Sequence, residues 1–339
     1  MSLVSGIAKS LILAAVGVVV CSSLPAFADA ILDAADFRLR HAPTTSQRTL
    51  KFPKDFPIGE LYIGSSGALP AERDQVRAAK GTIVVPPGKF VTLIPSHRLY
   101  QSPVIVDSLL PDGIDRLILD SCSMDDAEDK YCDNVLARVS HLRGLVVLSL
   151  DRSSSTDVGA AHAKDLPHLQ YFSACEGGLD GSCIKDFAAL KELRNVNMQG
   201  SCLRDKNVQY FAALPHLEHL NISHCNISDE GLKHLQGCTK LVNLKIADNP
   251  KITDKSIPIL LSLKGLVCLS IGSTGITAKG ATQLRKLSIK SLEWPILLRK
   301  QKDLQAVRKS MPGIFISTKT NRLSTPVNAE VEKMYAPLH

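Results

Sequence analysis

Leu217, Leu220 and Ile222 have counterparts 24 residues later, at Leu241, Leu244 and Ile246, and 24 residues earlier, at Leu193, Val196 and Met198. The triplet recurs at Leu169, Phe172 and Ala174, at Leu145, Leu148 and Leu150 and, after one inserted residue, at Leu266, Leu269 and Ile271. Degenerate copies flank the series, at Ile114, Leu117 and Leu119 and at Ile289, Leu292 and Trp294. The second half of each unit is in register too: "ISDEGLKHL", "ITDKSIPIL", "LRDKNVQYF" and "ITAKGATQL" align. A fixed period of this length constrains the fold more than anything else in the chain. The L-x-x-L-x-L segment alternates at period two, which predicts a short strand with one buried face. Ser228-Asp229 and Thr253-Asp254 then offer oxygens to cap a helix start. Leu232 and Leu235, or Ile257, Leu260 and Leu261, line one face of that helix. One strand and one helix cannot bury their own apolar sides, but stacked copies can. The expected architecture is a curved α/β solenoid with a parallel inner sheet. A doubly wound fold is disfavoured, because 24 residues are few for a strand, a full helix and two loops, and that fold has no reason for a fixed period.

The pattern L-x-x-L-x-L-x-x-[C/N/S/T]-x-[I/L], followed by [I/L]-[S/T]-D, resembles the leucine-rich repeat family, closest to its cysteine-containing and ribonuclease-inhibitor-like branches. The resemblance covers residues 109–316 and implies a horseshoe. Position nine holds Cys122, Ser153, Gly177, Ser201, Cys225, Asn249 and Thr274; the resemblance implies that Asn and Cys there bond turn backbone inside the stack. Cys122 and Cys225 are accordingly read as buried, reduced residues. A Cys202–Cys225 bridge stays geometrically open, as do the local pairs Cys175–Cys183 and Cys122–Cys132. The family's shared trait, protein recognition, implies a binding role without naming a partner.

The flanks read differently. Residues 1–28 have one Lys, an apolar run from Leu11 to Val20, Pro25 and then Ala26-Phe27-Ala28, the order of a secretory signal cleaved after Ala28. Cleavage removes one Lys and no acid, taking the net charge from +7 to +6. The expected location is periplasmic or extracellular. Residues 29–108 show no repeat; "FPIGELYIG" and "GTIVVPPGKFVTLI" predict strands, with a tight hairpin at Pro86-Pro87-Gly88. This β-rich region is expected to cap the open edge of the first repeat, and it resembles the N-terminal part of exported bacterial leucine-rich repeat proteins. From Leu298 the chain predicts an amphipathic capping helix ended by Pro312, with Leu304 and Val307 inward, then a last strand. Residues 317–339 read as a flexible tail.

Motifs of chemistry are scarce. "GSSG" at 64–67 lacks the Lys-Ser/Thr of a phosphate loop, and neither H-E-x-x-H nor C-x-x-C occurs. No cofactor is expected and the chain is read as non-catalytic. The alternative of a ubiquitin-ligase-type effector requires a catalytic domain with a nucleophilic Cys, which these residues do not supply. The aligned units do place His168, Glu192 and His216 in one row, with strands about 4.8 Å apart, which makes them the candidate cation site. Side chains on the inner face are predicted at Tyr171, Asn195, Asn197, His219, Asn221, Asn243 and Lys245. This polar, nearly uncharged set suits a protein or peptide partner and not nucleic acid, which needs a basic face. Arg299, Lys300, Lys302, Arg308 and Lys309 sit in a basic terminal segment and form a second candidate surface, for an anionic envelope component.

Overall fold

The computed structural model describes residues 39–40, 44–65, 74–119, 131–294 and 301–317. The signal segment 1–28, Cys122, Arg299, Lys300 and nearly all of the 317–339 tail lie outside the described residues. The strands are β1 (Arg48–Lys51), β2 (Gly59–Gly64), β3 (Gln75–Ala78), β4 (Thr82–Val85) and β5 (Phe90–Pro95). The repeats follow with β6 (Arg116–Ile118), β7 (Val147–Ser149), β8 (Tyr171–Ser173), β9 (Asn195–Asn197) and β10 (His219–Asn221). The series ends with β11 (Asn243–Lys245), β12 (Cys268–Ser270), β13 (Ser291–Glu293) and β14 (Phe315–Ser317).

Strands β5 to β14 stack in parallel in chain order, and the register is the sequence period itself: Tyr171 lies beside Asn195, Asn195 beside His219, and His219 beside Asn243. The chain is a leucine-rich repeat solenoid. The middle residue of each strand, from Leu117 through Phe172, Val196 and Leu220 to Ile316, points into one continuous core. Each such side chain removed from water contributes roughly 1.5–3 kcal/mol, so the repeat period is also the period of the main stabilising force. The opposite layer is built of short α- and 3-10 turns, such as Ser182–Ala189, Asp205–Ala213 and Asp229–Lys233. A unit this short leaves no room for longer helices.

Two local devices close each unit. Position eight adopts a left-handed conformation in Arg152, Glu176, Gly200, His224, Asp248 and Ser273, with φ between 51° and 69°. That geometry costs a non-glycine residue about 1–2 kcal/mol, and it is offset by N–H bonds to the next unit, such as His224 to Ala247 O at 2.9 Å and Asp248 to Gly272 O at 2.7 Å. Position nine follows inside the stack. Asn249, fully buried, accepts from the Cys225 and Ile227 N–H groups at 3.1 and 2.9 Å and donates to Ile222 O and Ile246 O at 2.9 and 3.1 Å. Cys225 donates its thiol to Met198 O at 3.0 Å, and Ser153 and Thr274 bond Leu150 O and Ile271 O.

The flanks depart from the sequence reading in one respect. Strands β4 and β5 do flank Pro86-Pro87-Gly88, but they form no hairpin. β4 pairs antiparallel with β1 in a separate two-stranded sheet, while β5 pairs with β2 and, in parallel, with β6. Two prolines have no N–H to carry a ladder across the turn, so the turn is a corner between sheets. β5 thereby covers the edge of the first repeat strand. Arg48 on β1 locks this arrangement: its guanidinium meets both Asp115 carboxylate oxygens at 3.1 and 2.9 Å, with side chains only 7% and 5% exposed. Asp115 also accepts the Val91 N–H at 2.6 Å. At the other end the helix Gln301–Ser310 turns Leu304 and Val307 inward, and β14 follows.

Candidate functional site

The inner face consists of the first and third residues of every strand. In the first row Arg116, Val147, Tyr171 and Asn195 are buried; His219, Asn243, Cys268 and Ser291 are half-buried; Phe315 is 69% exposed. In the third row Ser149, Ser173, Asn197 and Asn221 are buried, whereas Lys245 and Glu293 are half-buried. The sequence-predicted residues all lie on this face, but they divide. His219, Asn243 and Lys245 present surface. Tyr171, Asn195, Asn197 and Asn221 do not, with 2%, 5%, 2% and 6% exposure, which corrects the expectation for those four.

The physical reason is that short amides in a stacked row fold onto their own turns. Asn197 accepts the Gln199 N–H at 3.2 Å and Asn221 the Ser223 N–H at 3.1 Å, while Asn221 donates to the Gln199 side chain at 3.0 Å. Asp151 likewise accepts from the Ser173 hydroxyl at 2.5 Å and the Cys175 N–H at 2.8 Å. Burial, and after it the nearby Asp151, pushes the Tyr171 hydroxyl far above its ordinary pKa, so it stays protonated. Phe315 went unnoticed in the sequence, because its repeat is the most degenerate.

The candidate cation row does not converge. His168 Nδ1 and Glu192 Oε1 meet at 2.9 Å, but His216 faces Lys240, with Nδ1 to Nζ at 3.2 Å. Desolvation, then the Lys240 and Arg194 cations, pushes the His216 imidazole below its ordinary pKa, so the neutral ring accepts the ammonium proton. Among the described residues no group of three or more His, Cys, Asp or Glu is arranged to hold a metal ion.

Sequence reasoning also missed what Glu192 belongs to. Along the strand-start edge, position two of successive units carries Gln170, Arg194 and Glu218. Gln170 donates to Glu192 Oε2 at 3.0 Å and accepts the backbone N–H of Arg40 at 2.8 Å. The Arg40 guanidinium reaches both Glu218 carboxylate oxygens at 2.8 Å, and Arg194 donates to Glu218 Oε1 at 2.8 Å. One polar network thus joins His168, Glu192, Gln170, Arg40, Glu218 and Arg194. Repeat alignment would have revealed the position-two row, but nothing local pairs it with a residue more than a hundred positions away.

Cysteines are settled in part. Cys202 and Cys225 are both free, as are Cys175 and Cys183, which corrects both proposed bridges. Burial raises the Cys225 thiol to about 11, and its carbonyl bond keeps it in the ladder role. Cys132 is disulfide-bonded. No helix among the described residues is long and apolar enough to cross a membrane.

On the outer side, each unit's Asp serves the next unit. Asp205 accepts the Ser228 N–H and hydroxyl at 2.9 and 2.5 Å; Asp229 accepts from Thr253 at 2.8 and 2.7 Å; Asp254 accepts from Thr277 at 2.8 and 2.6 Å. A Cβ on Gly231 would lie 2.3 Å from Asp205 Oδ1, so the close approach requires glycine there. Capping was legible in the sequence, but this coupling between units was not.

A stacked parallel sheet with one strand and one short helical turn per unit defines a leucine-rich repeat protein, a scaffold class suited to protein interaction. A family model described as "Leucine Rich repeat" matches residues 213–235. Solved structures similar to the chain include internalin C2 of Listeria monocytogenes, at 19% identity and TM-score 0.41 over 58% of this chain and 92% of that one. Another is a second internalin of the same organism, at 16% identity and TM-score 0.39 over 62% of this chain and 82% of that one. A search of the curated proteins gave no match.

Proposed function

We propose that the chain is an exported, non-catalytic recognition scaffold that binds a protein or peptide partner on the inner face between β10 and β14. The observation that carries this reading is the change in exposure along one structural row, from buried Asn195 through half-buried His219, Asn243, Cys268 and Ser291 to Phe315 at 69%. An exposed aromatic beside polar groups on a rigid sheet has the composition of an interface anchor and its surround. Lys245 and Glu293 add one charge of each sign. Replacing His219, Asn243, Lys245 and Phe315 together by Ala should abolish capture of the partner from an envelope fraction. Retention of the same captured proteins would defeat the reading.

A second reading is supported by the terminal cap. Lys302, Arg308 and Lys309 are exposed on a helix whose Leu304 and Val307 are buried; Arg299 and Lys300 belong to the same basic segment of the sequence. Between Arg285 and Lys309 the sequence holds eight basic residues and two acidic ones. This surface suits an anionic envelope component through attraction screened over about 8 Å at physiological salt. Sedimentation with anionic vesicles should fall steeply as salt rises, and Gln at the five basic positions should remove it.

A further inference from the structure

We infer that Glu218 and Gln170 form an arginine-recognition site at the strand-start edge of the inner face, that the chain's own Arg40 occupies it, and that a partner presenting an arginine binds there by displacing Arg40. This deepens the recognition reading above and rests on it.

Two arginines of the N-terminal segment meet position two of the repeat. Arg48 meets Asp115, and Arg40 meets Glu218 four strands further along. Four strand spacings are about 19 Å, within the roughly 26 Å that eight extended residues can span. The two pairs differ in burial. Arg48 and Asp115 are sealed at 7% and 5% exposure, which suits a permanent lock. The Arg40 side chain is 59% exposed on a Glu218 carboxylate that is only 20% exposed. An exposed guanidinium on a partly buried carboxylate contributes little stability and is readily exchanged.

The acceptors do not depend on Arg40 for their placement. Arg194, itself 16% exposed, holds Glu218 Oε1 at 2.8 Å. Glu192 holds the Gln170 amide at 3.0 Å, and His168 meets Glu192 at 2.9 Å. The Gln170 oxygen and both Glu218 oxygens therefore remain aimed when Arg40 leaves, as a recognition site requires. The chemistry selects its ligand. Both Glu218 oxygens accept from one Arg40 nitrogen, Nη2, at 2.8 Å, so the site takes a cationic side chain long enough to reach Glu218 from a backbone held at Gln170, which is the reach of arginine. Gln170 takes the backbone N–H of the same residue whose guanidinium lies on Glu218, so the ligand's arginine side chain lies extended across two repeats. The site adjoins His219, where the inner face opens, so a partner lying on the open rows brings such an arginine within reach.

The test uses a fluorescent synthetic peptide of residues 36–46, DFRLRHAPTTS, with the mature protein, its R40A variant and R40A/E218Q. Self-occupancy lowers apparent affinity by the competent fraction, so R40A should bind the peptide about tenfold more tightly than the parent protein. R40A/E218Q should lose that binding, as should a peptide carrying Ala in place of its Arg40. Thermal melting confirms that each variant is folded; if E218Q disturbs folding, R40A/Q170A serves in its place. Equal binding by parent and R40A, indifference to the peptide's Arg40, or no binding by any variant overturns the inference. The quadruple inner-face variant distinguishes the two readings: if it loses the partner while the peptide result fails, only the arginine site falls.

Discussion

In its first row the inner face is closed from β6 to β9 and open from β10 to β14, although both stretches repeat one strand at one spacing. Val147 and Asn195 are buried, while Asn243 and Ser291, in the same row, meet solvent. The repeat therefore dictates where a side chain points and leaves open what covers it. The two stretches are also held differently. The first adjoins a cap fastened by a buried ion pair, Arg48–Asp115; the second is fastened from within by the neutral amide of Asn249. The deeply buried tie between the cap and the repeats is an ion pair, whereas the deeply buried tie at Asn249, between like units, is uncharged and fully satisfied.

The largest predicted effect tests that contrast at the cap. Asp115→Ala leaves Arg48 buried without its carboxylate, and breaking a buried pair this way costs about 3–5 kcal/mol. Denaturant unfolding measures the loss, and hydrogen exchange should place it in β4 to β7. A cost below about 1 kcal/mol would mean that the cap is not fastened by charge.

Next in size is Asn249→Ala. It strands the Cys225 and Ile227 N–H groups and two carbonyls, at about 2–4 kcal/mol, given 1–3 for each buried group left unsatisfied and some relaxation. Ser153→Ala, at the same repeat position in the closed stretch, should cost less, about 1–2 kcal/mol, because the Ser153 hydroxyl serves one carbonyl, Leu150 O at 2.8 Å, the Ser155 hydroxyl at 2.7 Å and a long contact from the Ser155 N–H at 3.4 Å. Equal losses from the two variants would show that position nine contributes alike everywhere, and the contrast between the stretches would then rest on the cap alone.

These residues also mark how far the sequence could be read. Leu217, Leu220 and Ile222 and their equivalents determined strand, register and core, because period-two burial and a fixed repeat leave one solution. The inward turn of Leu304 and Val307 was legible for the same reason. The hairpin at Pro86-Pro87-Gly88 was misread because a turn signal does not say which strands pair across it. Tyr171, Asn195, Asn197 and Asn221 were placed on the correct face with the wrong exposure, since a repeat alignment carries no information about row contacts or cover. The tie of Arg40 to Glu218 spans 178 positions and has no local signal at all. His168 and Glu192 were correctly brought together, but their role in a hydrogen-bond network was hidden by the same distance.

The smallest effect concerns the outer Asp ladder, which runs through both stretches without regard to the difference between them. Burial pushes the Asp229 carboxyl up, but bonds from Ser256 and Thr253, with Lys255 nearby, outweigh it and hold the pKa below the ordinary 3.8. The unfolded chain then binds protons more readily than the folded one, so this group stabilises the fold above about pH 4 and the contribution is lost as pH falls through the folded value. Asp229→Asn should cost about 1 kcal/mol at neutral pH, the usual net worth of such bonds, and the gap to the parent should close as the pH is lowered past 3.8. Asp180 behaves likewise, since the bonds from Ser182 and the Arg204 charge outweigh its burial. Ala278 holds the Asp position in a late unit, beside Thr277, where the ladder stops, so Ala278→Asp should change stability by less than about 0.5 kcal/mol. Urea midpoints of the parent, D229N and A278D between pH 3 and 7 decide the matter. A pH-independent gap for D229N would show that its carboxylate charge is not what couples the units, and the ladder would then be a matter of shape.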